Sequence, residues 1–166
     1  MSGSLGSTQD ALPPATVRVR DAAERLGLAI TLRLTDGSAR TAEEAATACG
    51  CDVAQIVKSL VFAGRDSGKP VLLLVSGKNR VDEAGSAALI GEALTRPNAA
   101  AVREWTGFAI GGIPPLGLAT AMPVFIDEDL LRFDSVWAAA GTPKSVFAVS
   151  PQALAAAIGA APVRVG

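Results

Sequence analysis

The run Pro70-Val71-Leu72-Leu73-Leu74-Val75-Ser76 limits the fold more than any other stretch of this sequence. It has the length of a strand and no polar alternation. Such a strand must be covered on both faces, so the chain needs packed layers on either side of a sheet. A second strand precedes it over residues 58–63. The two are joined through Gly64-Arg65-Asp66-Ser67-Gly68-Lys69, which is polar and bounded by glycine, as hairpin connections are. With 166 residues, the chain is expected to form one domain with a real core.

The other elements are set by local chemistry. Residues 17–27 read as a helix, with Val19, Ala22, Ala23 and Leu26 as its apolar stripe and Gly27 as its stop. Residues 28–34 read as a strand, and Asp36-Gly37 as a turn. Thr41-Ala42-Glu43-Glu44 has the spacing of a capping box, opening a helix that runs to Gly50. Asp52-Val53-Ala54-Gln55 repeats that signature and predicts a short helix ending near Val57, which delivers Lys58 to the start of a strand. Helices are expected over 81–90 and over 99–105, the latter between Asn98 as N-cap and Gly107 as stop. A strand over 123–127 leads into one helical turn headed by Asp127-Glu128-Asp129, whose acids suit a solvated helix N-terminus. Short strands at 135–139 and 145–149 flank Gly141-Thr142-Pro143-Lys144. Ser150-Pro151 opens the last helix, which ends at Gly159, and residues 162–165 return as a strand. Strands succeed one another directly, without a βαβ repeat, so the class is α/β of the α+β kind with a mixed sheet. Residues 1–16, rich in Ser, Gly, Pro and Ala, have no apolar segment of a signal peptide and read as a flexible tail. Residues 17–166 read as a single domain.

Lys58 is the residue that asks for a chemical explanation. In Gln55-Ile56-Val57-Lys58-Ser59-Leu60-Val61-Phe62, a strand starting at Lys58 puts Lys58, Leu60 and Phe62 on one face. A cation on an apolar face snorkels to water, pairs with an acid, or holds a ligand. The chain contains no histidine. That excludes Ser–His–Asp and Cys–His catalysis and every His-ligated metal centre. Chemistry must come from lysine, carboxylates, hydroxyls, backbone groups or the substrate itself. Cys49 and Cys51 are too close for an unstrained disulfide and too few for zinc, and read as packing residues at a helix end. No metal or cofactor is expected. A net charge of −1 gives no global field to recruit nucleic acid. A local basic spot such as Gly77-Lys78-Asn79-Arg80 can still meet one end of an RNA or serve as a solvated turn. No run approaches the ~18 apolar residues of a membrane span.

The second constellation is Phe108-Ala109-Ile110-Gly111-Gly112-Ile113-Pro114-Pro115-Leu116-Gly117. Adjacent glycines allow positive φ and close backbone approach, and the prolines stiffen the second half of the loop while removing two donors. The loop offers bare N–H and C=O groups suited to a small polar group, or is a tight turn with no ligand. It has neither the phosphate-loop spacing nor a dinucleotide fingerprint. Trp105 and Trp137 read as core.

Taken in order, the capping-box helix, Q-I-V-K-S-L-V-F, V-L-L-L-V-S-G, G-F-x-I-G-G-I-x-P-x-G and the late A-G-T-P resemble the YbaK/prolyl-tRNA-editing family of aminoacyl-tRNA deacylases. The resemblance spans roughly residues 41–158. It implies a mixed, partly barrel-like sheet flanked by helices. It also implies hydrolysis of the ester between a wrongly attached amino acid and tRNA, most often tRNA for proline. Carried over residue by residue, it makes Lys58, Gly111 and Gly112 the catalytic groups. Lys58 would anchor the phosphate or carbonyl side of the substrate, and the glycine N–H groups would form an oxyanion site. Ser59, Phe62, Ile113, Pro115, Gly141 and Thr142 would bind substrate. The hydroxyl beside the ester on the terminal ribose would help activate water or the carbonyl, which makes a mechanism without histidine intelligible. The implied partners are the acceptor end of an aminoacyl-tRNA and prolyl-tRNA synthetase. The implied setting is a free-standing cytoplasmic protein, away from membranes. Some subgroups carry a histidine near the late glycine, where this chain has Gly141-Thr142-Pro143-Lys144, so preferences tied to that histidine do not transfer. Alanine, cysteine, serine and 2-aminobutyrate all remain open as the group removed. The competing class is a non-catalytic module that binds nucleic acid or a synthetase.

Overall fold

The computed structural model describes residues 12–37 and 39–165. Helix α1 (Pro14–Arg25) leads to strand β1 (Thr31–Leu34) and helix α2 (Ala42–Cys49). A 3-10 turn (Val53–Gln55) then feeds strands β2 (Val57–Gly64) and β3 (Pro70–Ser76). Helix α3 (Glu83–Ile90), the two-residue strand β4 (Leu94–Thr95) and helix α4 (Ala99–Thr106) come before the glycine–proline loop. Strand β5 (Val124–Asp127), a second 3-10 turn (Glu128–Arg132), strands β6 (Val136–Ala139) and β7 (Ser145–Val149), helix α5 (Pro151–Ile158) and strand β8 (Ala161–Val163) complete the chain.

Local signals set most boundaries. Both capping boxes form. Thr41 Oγ1 accepts from Glu44 N–H at 3.1 Å while Glu44 Oε1 accepts from Thr41 N–H at 3.2 Å. Asp52 and Gln55 repeat the exchange. Asn98 and Ser150 cap α4 and α5 with side-chain oxygens. The first strand is shorter than the expected 28–34, because Leu28 still belongs to the end of α1. Its N–H donates to Ala23 O at 2.9 Å, the six-to-one bond that closes a helix beyond a left-handed glycine, here Gly27. The expected tail also ends sooner. Helix α1 begins at Pro14, and Thr16 is fully buried, its hydroxyl donating to Ala140 O at 2.7 Å. Residues 1–11 of the expected tail lie outside the described residues. Strand β4 carries no sequence signal of its own.

The strands make two sheets. One has three antiparallel strands in the order β1-β7-β6, and the other has five in the order β4-β2-β3-β5-β8. The larger is mixed: β2 and β3 are antiparallel, while β3-β5 and β5-β8 are parallel. Residues Val71 to Val75 are at most 2 % exposed, as a run without alternation requires. On one face, Leu72, Leu74 and Ile126 join α1, Phe108, Phe147 and Leu154 in the main core. On the other, Val71, Leu73 and Val75 pack with Phe62, Leu89, Ile90 and Val165.

The mixed, helix-flanked sheet is as expected, and the two sheets do not close into a barrel. Among the described residues the two sheets are paired backbone to backbone at a single parallel bridge, Ile56–Trp137, and the β2–β6 ladder does not continue past it. Closure needs hydrogen-bonded pairing all the way round; here the strands splay apart after one bridge.

Candidate active site

The wedge left by that splay holds a cavity of about 300 Å³. Its walls are Ile56 and residues 57–60 of β2, 137–139 of β6, residues 39–42 and 45 around the start of α2, Ile110, Gly111 and Ile113 of the glycine loop, and Thr142, Pro143, Ser145 and Val146 of the β6–β7 turn and strand. The pleat decides which backbone groups face it. Gly64 N–H donates to Lys69 O, and Gly77 N–H to Ile56 O. Even-numbered residues of β2 therefore bond β3, and odd-numbered ones turn their N–H and C=O to the opposite edge. The bond from Ala140 N–H to Ser145 O fixes β6 in the same way, with Trp137 and Ala139 turned toward β2. Beyond the bridge, the outward-turned backbone groups of Ser59 and Ala139 stand at the cavity wall. Ser59 Oγ is itself buried and has no hydrogen-bond partner among the described residues.

Lys58 lines the cavity and is half-buried. Its Nζ donates to the backbone carbonyl of Asn79, on the turn after β3. Burial pushes its pKa below the ordinary lysine value; the Glu43 carboxylate on the first turn of α2 opposes this, Arg80 adds to it, and Asp127 opposes it. Asp127 is 1 % exposed, which corrects the expectation of a solvated acidic turn. Its carboxylate accepts from Ser76 N–H, Asn79 Nδ2 and Asp129 N–H. Three donors are what a carboxylate needs to be buried at tolerable cost.

The glycine loop is held by backbone contact. Gly111 has φ +100° and its N–H has no partner among the described residues. Gly112 is spent structurally: its N–H donates to Ala109 O at 3.1 Å and its carbonyl accepts from Gly141 N–H at 2.9 Å. A Cβ on Gly112 would lie 2.6 Å from Gly141 C and Thr142 Cα, and one on Gly141 would lie 2.8 Å from Ala15 C. These glycines let the loop, the β6–β7 turn and α1 touch main chain to main chain. Arg18 clamps the same corner, donating to Gly107 O at 2.7 Å with its guanidinium 4.3 Å from the Phe108 ring.

Of the residues expected at the site, Lys58, Ser59, Gly111, Ile113 and Thr142 line the cavity. Gly112, Pro115 and Gly141 do not; all three are buried, and Gly112 packs directly against the backbone of the lining residue Thr142. Gly112 N–H is not free to serve an oxyanion. Phe62 is a correction. It shares the face of Lys58, but four residues along a strand carry it ~13 Å away, where it is 2 % exposed in the second core cluster. Trp137, expected in the core, is a further correction: its half-buried ring lines the cavity with the Arg33 guanidinium 4.5 Å from its centre. Sequence reasoning passed over Arg40, Ile110 and Ser145, which also line the cavity. Ile110 is 61 % exposed at the cavity edge, and its place beside Gly111 was the one signal available.

Among the described residues no group of three or more His, Cys, Asp or Glu is arranged to hold a metal ion, and no helix is long and apolar enough to cross a membrane. Cys49 and Cys51 are free, and burial pushes the Cys49 thiol up to about 11.

The sequence profile of the aminoacyl-tRNA editing domain matches residues 36–157. The chain belongs to that family. A crystal structure described as that of "a putative trans-editing enzyme for prolyl tRNA synthetase" superposes with a TM-score of 0.87 at 46 % identity, covering 93 % of this chain and 98 % of the other. Protein YwhH of Bacillus subtilis (strain 168) is 33 % identical over 117 residues, 70 % of this chain and 74 % of YwhH. The proline–tRNA ligase of Limosilactobacillus fermentum is 31 % identical over 105 residues; these are 61 % of this chain but 18 % of the ligase.

Proposed function

We propose that this editing-domain chain is a trans-acting deacylase. It hydrolyses the ester of a tRNA, in the first place tRNA for proline, that carries a small amino acid such as alanine, cysteine or serine. The observation that carries the reading is the convergence of the half-buried cation Lys58 with unpaired donors at Gly111 and Ser59 on a cavity of about 300 Å³, whose rim also carries the exposed Arg40. Such a volume is at the small end for ligand sites. It suits an aminoacyl group and the ribose that bears it, not a long side chain. Pockets exclude larger groups by sterics and smaller ones weakly, so the removed group is the small one.

In this reading Lys58 acts as an ammonium. It already donates to a carbonyl, and it anchors the phosphate or carbonyl side of the ester. Gly112 N–H is engaged elsewhere, so negative charge developing on the ester oxygen falls to Gly111 N–H and to the outward N–H and hydroxyl of Ser59. The neighbouring ribose hydroxyl helps activate water or the carbonyl, and the protein supplies position and polarity. Thr142 limits the aminoacyl end. The family and the likeness to a ligase segment support the substrate class.

The test is a panel of proline tRNAs charged with alanine, cysteine or serine, with the protein well below substrate concentration. Repeated turnover on at least one is expected. Retention of tRNA without release from any of them would favour a binding module.

A further inference from the structure

Lys58 reaches its position through a chain of groups that lies outside the cavity. We propose that Asn79, fixed by the buried Asp127, is the residue that positions the Lys58 ammonium for the reaction; this rests on the deacylase reading above.

The turn after β3 is fixed from several directions. Asn79 N–H donates to Ser76 O at 2.9 Å, closing a four-residue turn. Gly77 sits against the 3-10 helix before β2, where a Cβ would lie 2.4 Å from Val53 O. The Asn79 side chain then ties this turn to the end of β5. Its Nδ2 donates to Asp127 Oδ2 and to Asp129 Oδ2, each at 2.8 Å. An amide nitrogen has two hydrogens, and here each goes to a different carboxylate. Asp127 is in turn held by Ser76 N–H at 3.0 Å and Asp129 N–H at 3.0 Å. What this network holds still is the Asn79 backbone carbonyl, and that carbonyl accepts the Lys58 Nζ hydrogen bond.

The residue type matters. A serine could not span two carboxylates, and an aspartate would add a third negative charge beside Asp127 and Asp129. A lysine side chain has four rotatable bonds and costs much entropy to hold, so an ordered acceptor decides where its charge resides. Asn79 does not itself line the cavity and meets its wall at Lys58, so it acts through Lys58.

Two measurements test this. Competitive acetylation with acetic anhydride, read by mass spectrometry, gives the reactivity of Lys58 relative to exposed Lys69 in the same molecule. In Asn79→Ala and in Asn79→Ser, Lys58 is expected to acetylate at least about threefold faster relative to Lys69, in protein that circular dichroism shows to be folded, with a melting temperature lowered because Asp127 loses a donor. Single-turnover deacylation with enzyme in excess is expected to fall about tenfold in Asn79→Ala. In a Lys58→Ala background, the same change is expected to have no further effect. An unchanged Lys58 reactivity in both variants would overturn the proposal, whether or not any charged tRNA is hydrolysed. So would an equal, additive loss in the Lys58→Ala background, the mark of a purely structural role. If the parent releases no amino acid from any tRNA, the deacylase reading falls, and with it the catalytic half of this proposal.

Discussion

The two walls of the cavity are built in opposite ways. At the Lys58 wall, position comes from polar side chains: an ammonium on a carbonyl, an amide on two carboxylates, and a carboxylate on two backbone N–H groups. At the Gly111 wall, position comes from missing side chains, with Gly112 and Gly141 packed backbone to backbone. The first wall fails when an atom is removed, the second when one is added. A site that must hold a charge and also expose bare N–H groups needs both kinds of support.

The largest expected effect is at the backbone wall. Gly112→Ala would drive a Cβ into main-chain atoms at 2.6 Å, with no flexible side chain to yield. Overpacking of that kind should cost about 3 kcal/mol. For a chain of this length that lowers the melting temperature by roughly 6–12 °C, readable by calorimetry. A variant that melts with the parent would show that the loop and the β6–β7 turn can part freely, and the contrast would collapse.

Lys58→Met sharpens the comparison from the other side. It keeps most of the aliphatic packing and deletes the charge. Deacylation of the responsive tRNA should fall about 100-fold or more, while the melting temperature moves by about 2 °C or less. A large loss of stability with no specific loss of rate would make Lys58 a structural cation.

The smallest effect is the pH dependence. Burial lowers the Lys58 pKa, so the folded protein binds that proton less tightly than the unfolded chain does. The charge therefore opposes folding below the folded pKa, and the penalty fades as pH rises toward the ordinary lysine value. For the reaction the sign reverses. The enzymatic rate, after subtracting uncatalysed ester hydrolysis, should decline with rising pH before an ordinary lysine would lose its proton. In Lys58→Arg, whatever activity remains should persist across that range. Parallel profiles for the two would separate the decline from Lys58.

Much of this was legible from short windows. The capping boxes at Thr41 and Asp52, the left-handed glycines at 50, 107 and 159, and the doubly buried β3 each depend on residues within one turn or one strand. Lys58 was legible because a charge in an apolar strand is anomalous wherever the strand goes. The failures share a different cause. Phe62 has the parity of Lys58 but lies too far along the strand, a fact visible only once the cavity is located at one end of β2. Asp127 read as a solvated cap, because its donors come from Ser76 and Asn79, about fifty residues earlier.

The sequence by itself determined the elements, the central buried strand, the isolated cation and the rigid glycine–proline loop. These are set by propensity, periodicity and the conformational reach of single residues. Only the tertiary structure decided that β2 and β6 would meet at one bridge and part, which of the two glycines kept a free N–H, and which distant carboxylate would brace the lysine. Those outcomes depend on the register of strands far apart in the chain. A shift of one residue there would turn every side chain and every free backbone group to the other side.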